Sequence, residues 1–171
     1  MGINLSRIKK EDMAYIYKWF SSSEFLKYYD YYPPVPLNKD EVNKTFNDYE
    51  KNEKSEVFAV RLDDTIIGVA GFDDIIKENQ VATLFIGLGS EGERGKGYGR
   101  ETMKLLLEYG FNDLNFHRIQ LNVLEFNERA IALYEKFEFK KEGIFREFAL
   151  RDGKRYNLLL YGLLKTEWHN E

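Results

Sequence analysis

The chain has 171 residues, 43% hydrophobic and 32% charged, with a formal net charge of -4, two histidines and no cysteine. That length buries about two thirds of the unfolded surface without metal or disulfide, so residues 1–171 are read as a single domain. Lack of cysteine excludes disulfides, thiolate metal sites and any intermediate held on an enzyme sulfur.

His117 and His169 stand far apart and outside any ligand-spaced cluster, so no metal is expected. The acidic balance argues against a nucleic-acid surface and suits a cationic partner. No apolar run reaches membrane-span length, and no membrane partner is expected. Lys9, Lys10, Glu11 and Asp12 interrupt the amino terminus before an apolar signal-peptide core could form, which makes the cytoplasm the expected location. Met1-Gly2-Ile3-Asn4-Leu5-Ser6 fits a myristoylation pattern, but Ile3, Leu5 and Arg7-Ile8 read as a first strand, and the strand is favoured.

Met13, Ile16, Tyr17 and Phe20 recur at helical spacing, as do Val42, Phe46 and Tyr49 in a second helix opened by Asn38 and Asp40. Between them Tyr28-Tyr29-Asp30-Tyr31-Tyr32-Pro33-Pro34 reads as an aromatic loop. Strands over 56–62, 65–72 and 80–88 follow as an antiparallel meander, the first two joined at Asp63-Asp64. A glycine loop leads to a third helix with Met103, Leu106, Leu107, Gly110 and Phe111 on one stripe, then to an alternating strand over 118–124. A strand-helix-strand unit of this kind favours parallel pairing. Asn127 caps a fourth helix over 128–137, and a hairpin of 144–150 and 155–164 turns at Asp152-Gly153. The expected class is mixed α/β, a single mostly antiparallel sheet with helices on both faces.

Between Gly92 and Arg100, glycines alternate with Arg94, Lys96 and Arg100. Glycines let successive backbone N–H groups converge on one anion, and the helix that follows adds the positive end of its dipole, so the segment reads as a phosphate seat. A Walker loop is excluded because Tyr98, where Lys is required, follows Gly97. Gly87-Leu88-Gly89-Ser90-Glu91-Gly92 matches the dinucleotide fingerprint literally, but its last glycine runs into poor helix material. A nicotinamide site stays as an alternative.

Arg94-Gly95-Lys96-Gly97-Tyr98-Gly99 resembles the pyrophosphate loop of the GNAT family of N-acetyltransferases. Asn127 through Phe139 resembles the same family's Asn-x-x-Ala-x-x-Leu-Tyr-Glu-Lys-x-Gly-Phe segment, with Glu138 in place of glycine. His117-Arg118-Ile119, the 142–147 segment and the closing 164–168 segment resemble the branch with ribosomal-protein amino-terminal and spermidine acetyltransferases. The resemblance implies a GNAT-like fold, acetyl-coenzyme A as co-substrate and a primary amine as acceptor: polyamine, aminosugar or protein amino terminus. It implies that Arg94, Gly95, Lys96, Gly97, Tyr98, Gly99 and Arg100 hold the pyrophosphate, that Leu88 and Gly89 offer main-chain groups to the pantetheine arm, and that Asn127 contacts the cofactor. Tyr134 takes the family's general-acid position.

Tyr134 also lies on the apolar stripe of Ala130, Leu133 and Phe137, which suits a core residue equally. The glutamate that serves some relatives as base is replaced here by Asn122, leaving Glu24, Asp30 or a water chain. Glu24, Tyr28, Tyr29 and Asp30 are the acceptor-binding candidates, by charge pairing and stacking on a cation. A non-catalytic acyl-coenzyme A sensor is the alternative function. A strand edge near the closing hairpin is compatible with a homodimer.

Overall fold

A computed structural model describes residues 2–89 and 95–169. Its seven strands form one sheet in the order β1-β2-β3-β4-β5-β7-β6. They are β1 (Ile3–Ser6), β2 (Glu56–Leu62), β3 (Thr65–Ile76), β4 (Val81–Leu88), β5 (Arg118–Leu124), β6 (Lys140–Arg151) and β7 (Lys154–Leu164). Every neighbouring pair is antiparallel except β4 and β5. The meander and the parallel strand-helix-strand unit expected from the sequence are both present.

The helices are α1 (Met13–Phe20), α2 (Ser23–Tyr29), α3 (Lys39–Lys51), α4 (Tyr98–Glu108) and α5 (Glu128–Lys136). On one face Ile16, Trp19, Phe20, Val42 and Phe46 of α1 and α3 pack with Ala59 and Val69. On the other, Met103, Leu106 and Leu107 of α4 and Tyr134 of α5 pack with Val60, Ala70 and Ile119. Neighbours such as Ala59 and Val60 therefore serve opposite layers, as the two-residue period of a strand requires.

The structure departs from the sequence reading in α2. Tyr28 and Tyr29, read as loop, form its last turn, because the Ser22 hydroxyl caps the helix by accepting the Phe25 N–H at 3.3 Å. The helix is held by apolar contacts rather than length, with Phe25 and Tyr29 stacked at 5.2 Å between ring centroids. The last hairpin also begins earlier than expected, at Lys140. Glu138, where the segment it resembles has glycine, takes the left-handed conformation that glycine would adopt, with φ 64°. At the hairpin tip Asp152 and Gly153 have φ 50° and 76°, the two positive values of a type I′ turn.

Candidate active site

β4 and β5 pair only from Val81–Thr83 to Arg118–Gln120, whereas β4 stays paired with β3 as far as Leu88 and β5 with β7 as far as Leu124. Beyond that short parallel stretch the two strands have lost each other as partners, and a cleft opens between them. Backbone groups of alternate β4 residues face opposite edges. Gly89 donates its N–H to the Ile67 carbonyl at 2.9 Å, so Gly87 and Gly89 face β3 while Ile86 and Leu88 face the cleft. Of the two pantetheine candidates, Leu88 is placed to offer its N–H and C=O to an extended ligand. Gly89's N–H is engaged elsewhere, and Ile86 stands in its place.

Across this cleft lies a cavity of about 430 Å³, bounded by Leu88, Gly95, Gly97, Tyr98, Gly99 and the first turn of α5. Gly97 sits immediately before α4 with φ 86°, and its carbonyl accepts the N–H groups of Arg100 and Glu101 at 3.0 and 3.1 Å. The N–H groups of Tyr98 and Gly99, at the head of an 11-residue helix, are those a helix leaves for an anion. Lys96 and Arg100 are exposed and outside the cavity lining, and Arg94 lies outside the described residues. Arg129, which the sequence reading missed, does line it. This glycine-rich concavity with a helix head and an arginine fits a diphosphate, so the residues present suit coenzyme A.

Asn127 joins the two sides of the mouth. Its Oδ1 accepts the Ala130 N–H at 3.3 Å, capping α5, and its Nδ2 donates to the Tyr28 carbonyl at 3.4 Å. The cap orients α5 so that Tyr134, two turns on, enters the cleft on the buried side. Tyr134 is 9% exposed, and burial pushes its phenol up to about 12, so it stays protonated at neutral pH. Among the described residues nothing hydrogen-bonds its oxygen.

A second cavity, of about 410 Å³, adjoins the first, and Tyr28, Tyr29, Asn127 and Tyr134 line both. It is acidic, with Asp30, Asp73 and Asp74 in its wall beside Tyr49 and Asn122. Burial raises the Asp30 carboxyl above its ordinary value, against main-chain N–H donation from Tyr31, at 2.6 Å, and Tyr32. Burial also raises Asp73, aided by Asp74 and opposed by the Ser55 hydroxyl donating at 2.6 Å. Tyr49 is driven far above the usual phenol range by burial and then by Asp73 and Asp30. Arg151, 7% exposed, holds the cavity's loop in place by donating to the carbonyls of Tyr31 and Tyr32 at 3.1 and 2.8 Å.

The acceptor candidates thus divide. Tyr28, Tyr29 and Asp30 line the acidic cavity, but Glu24 is exposed on the first turn of α2 and lines neither cavity, because the helix turns it outward. The Tyr28 ring already carries a cation, with Lys27 Nζ 5.4 Å from its centroid. Asp73 was missed because it lies inside the largely apolar strand β3 and reaches Asp30 only through tertiary packing. The pair Asp73-Asp74 closing a buried run was its one local signal. Among the described residues no group of three His, Asp or Glu side chains is arranged to hold a metal ion.

Residues 3–140 match the family model described as the acetyltransferase (GNAT) domain. The uncharacterised N-acetyltransferase p20 of Bacillus licheniformis is 28% identical over 169 residues, covering 97% of this chain and 94% of that protein. The spermidine N(1)-acetyltransferase of Escherichia coli is 26% identical over 148 residues, covering 86% and 78%. The crystal structure of spermidine N-acetyltransferase from Vibrio cholerae in complex with CoA and spermine shares the fold, with a TM-score of 0.88 at 23% identity over 96% of each chain. With its splayed strands, glycine loop and matching 138-residue span, 3–140, the chain belongs to the GNAT acetyltransferase family, with acetyl-coenzyme A as donor and an amine as acceptor.

Proposed function

We propose that residues 1–171 act as one acetyltransferase domain that moves an acetyl group from acetyl-coenzyme A directly onto a polyamine, with Tyr134 as general acid. The observation that carries this reading is that one buried phenol lines both the cavity suited to a diphosphate and the adjoining acidic cavity. A single proton donor between two pockets serves direct transfer, in which donor and acceptor are held together. The Tyr98 and Gly99 N–H groups and Arg129 hold the pyrophosphate, helped by Lys96 and Arg100 at the loop's outer side. Ile86 and Leu88 hold the pantetheine arm as an added strand would be held, and Asn127 keeps both walls in register.

In the acidic cavity, Asp30 and Asp73 favour an acceptor with more than one positive charge, which distinguishes a polyamine from a peptide amino terminus. The relatives named for spermidine point the same way. Tyr134 gives its proton to the departing sulfur while Tyr29 and Ile86 confine the reacting groups. We place this reaction in the cytoplasm and read the long exposed edge of β6, with Phe145 and Phe148 half exposed, as the face of a homodimer. The test is an acetylation screen of polyamines, aminosugars and peptides, with mass detection of product and parallel thiol release. Polyamine product with matching thiol release is expected. Tight coenzyme A binding with no acetylated product from any amine would refute the reading.

A further inference from the structure

An alkylammonium of pKa about 10.4 must lose a proton before it can attack, at a cost of roughly 4–5 kcal/mol at pH 7. Asn122 of β5 projects no carboxylate into this site, and its amide cannot accept that proton. It lines the acidic cavity, so the proton must go to another wall.

Three carboxylates compete. Asp74 is exposed and sits in a left-handed backbone position, φ 48°, where β3 breaks register with β4. Asp30 is fixed as an acceptor of main-chain N–H groups from Tyr31 and Tyr32 with the Arg151 guanidinium nearby, donors that hold the ionised form and cannot turn away. Asp73 is half-buried and touched by hydroxyls, Ser55 at 2.6 Å and the neighbouring Tyr49 phenol, which can rotate to let a proton arrive.

On that difference, and resting on the acceptor reading above, we propose that Asp73 is the catalytic base that deprotonates the acceptor amine. The groups facing it are Asp74 from its own strand, Tyr49 from α3, and Asp30 and Tyr29 from the end of α2, with Lys27 in the same cavity wall. Burial raises its basicity, the Ser55 hydroxyl opposes that, Asp74 adds to it and the Tyr49 phenol opposes it, with the carboxyl left above its ordinary value. One proton passes from the ammonium to an Asp73 oxygen, and the freed lone pair forms the C–N bond at the thioester carbon. The C–S bond breaks as the Tyr134 proton goes to sulfur. The proton shed by the new amide nitrogen restores the phenol, and the proton on Asp73 leaves to water, so one proton is released per turnover.

The test is spermidine acetylation by wild type, Asp73→Asn, Asp73→Glu and Asp30→Asn between about pH 6 and about pH 10, with coenzyme A binding measured by calorimetry to show that each variant is folded. Asp73→Asn is expected to lower kcat about 100-fold at neutral pH, a deficit that shrinks at least about tenfold near pH 10, where free amine is supplied by solution. Asp73→Glu recovers part of the loss, and Asp30→Asn raises KM with kcat within a few-fold. A loss in Asp73→Asn confined to KM, or a kcat deficit equal at every pH, overturns the assignment while leaving acetyl transfer intact. A wild-type protein inert toward spermidine but active on another amine overturns the acceptor reading and this assignment with it.

Discussion

Replacing Tyr134 by Phe removes one oxygen from the junction of the two cavities and nothing else. Because nothing among the described residues hydrogen-bonds that oxygen, the substitution breaks no protein contact, and the ring remains packed near Phe139 and Tyr161 at 6.1 and 6.4 Å. Stability should change by less than about 1 kcal/mol, under about 4 °C in Tm for a chain of this size. Loss of a general acid costs about 10²–10⁴ in kcat, or about 2.7–5.4 kcal/mol on the barrier. The assay is thiol release at saturating donor and acceptor, with Tm and coenzyme A affinity measured on the same protein. A phenol pushed up to about 12 acts as an acid below that value, so this group imposes no loss of rate until the pH climbs toward it. A variant whose kcat stays within about threefold of wild type refutes the proton-donor role, since no smaller factor is expected of general acid catalysis.

Asp12 and Arg61, 3% and 6% exposed, are paired by two hydrogen bonds of 2.9 and 2.6 Å that tie β2 to the start of α1. Asp12→Asn leaves a buried guanidinium uncompensated, so a loss of about 3–5 kcal/mol and a Tm lower by roughly 6–20 °C is expected from thermal melts. Burial alone would raise Asp12, but Arg61 and the Lys9 N–H outweigh it and hold the carboxyl below its ordinary value. Its contribution is therefore present above the unfolded value near 4 and disappears as pH falls through the lower folded value, a decline that Asp12→Asn should lack. Glu138→Gly relieves a left-handed residue and should raise stability by about 1 kcal/mol, or about 2–4 °C; an unchanged or lower Tm counts against that account. At Gly87 an added Cβ would lie 2.5 Å from the Tyr29 ring. Gly87→Ala should thus cost about 1–3 kcal/mol and raise KM for both substrates, because Tyr29 lines both cavities; a shift in only one KM argues against a shared wall.

Much of the donor half was legible in local order. The alternation in 118–124, the stripe of α4 and the cap at Asn127 are short-range patterns, so strand, helix and loop could be read where they stand. Gly95, Gly97 and Gly99 could be read as a candidate phosphate seat because backbone conformation is a property of single residues. Helix α2 escaped because its signal is one capping serine and an i, i+4 aromatic pair, and seven residues form a helix only when packing supports them. Glu24 was chosen for its charge, and the phase of that unseen helix turned it to solvent.

By itself, then, the sequence determined the order of the strands and of every helix but α2, the glycine-rich loop and the helix carrying Tyr134, all encoded by periods of 2 and 3.6 residues and by glycine spacing. Tertiary structure alone decided the rest. The divergence of β4 from β5 depends on strand pairing between segments some thirty-five residues apart, and it decides that Leu88 and Ile86, rather than Gly89, face the cleft. The acidic cavity gathers Asp30 from the end of α2, Asp73 from β3 and Tyr134 from α5. No local pattern relates these residues, because their meeting is fixed by how helices pack across a splayed sheet.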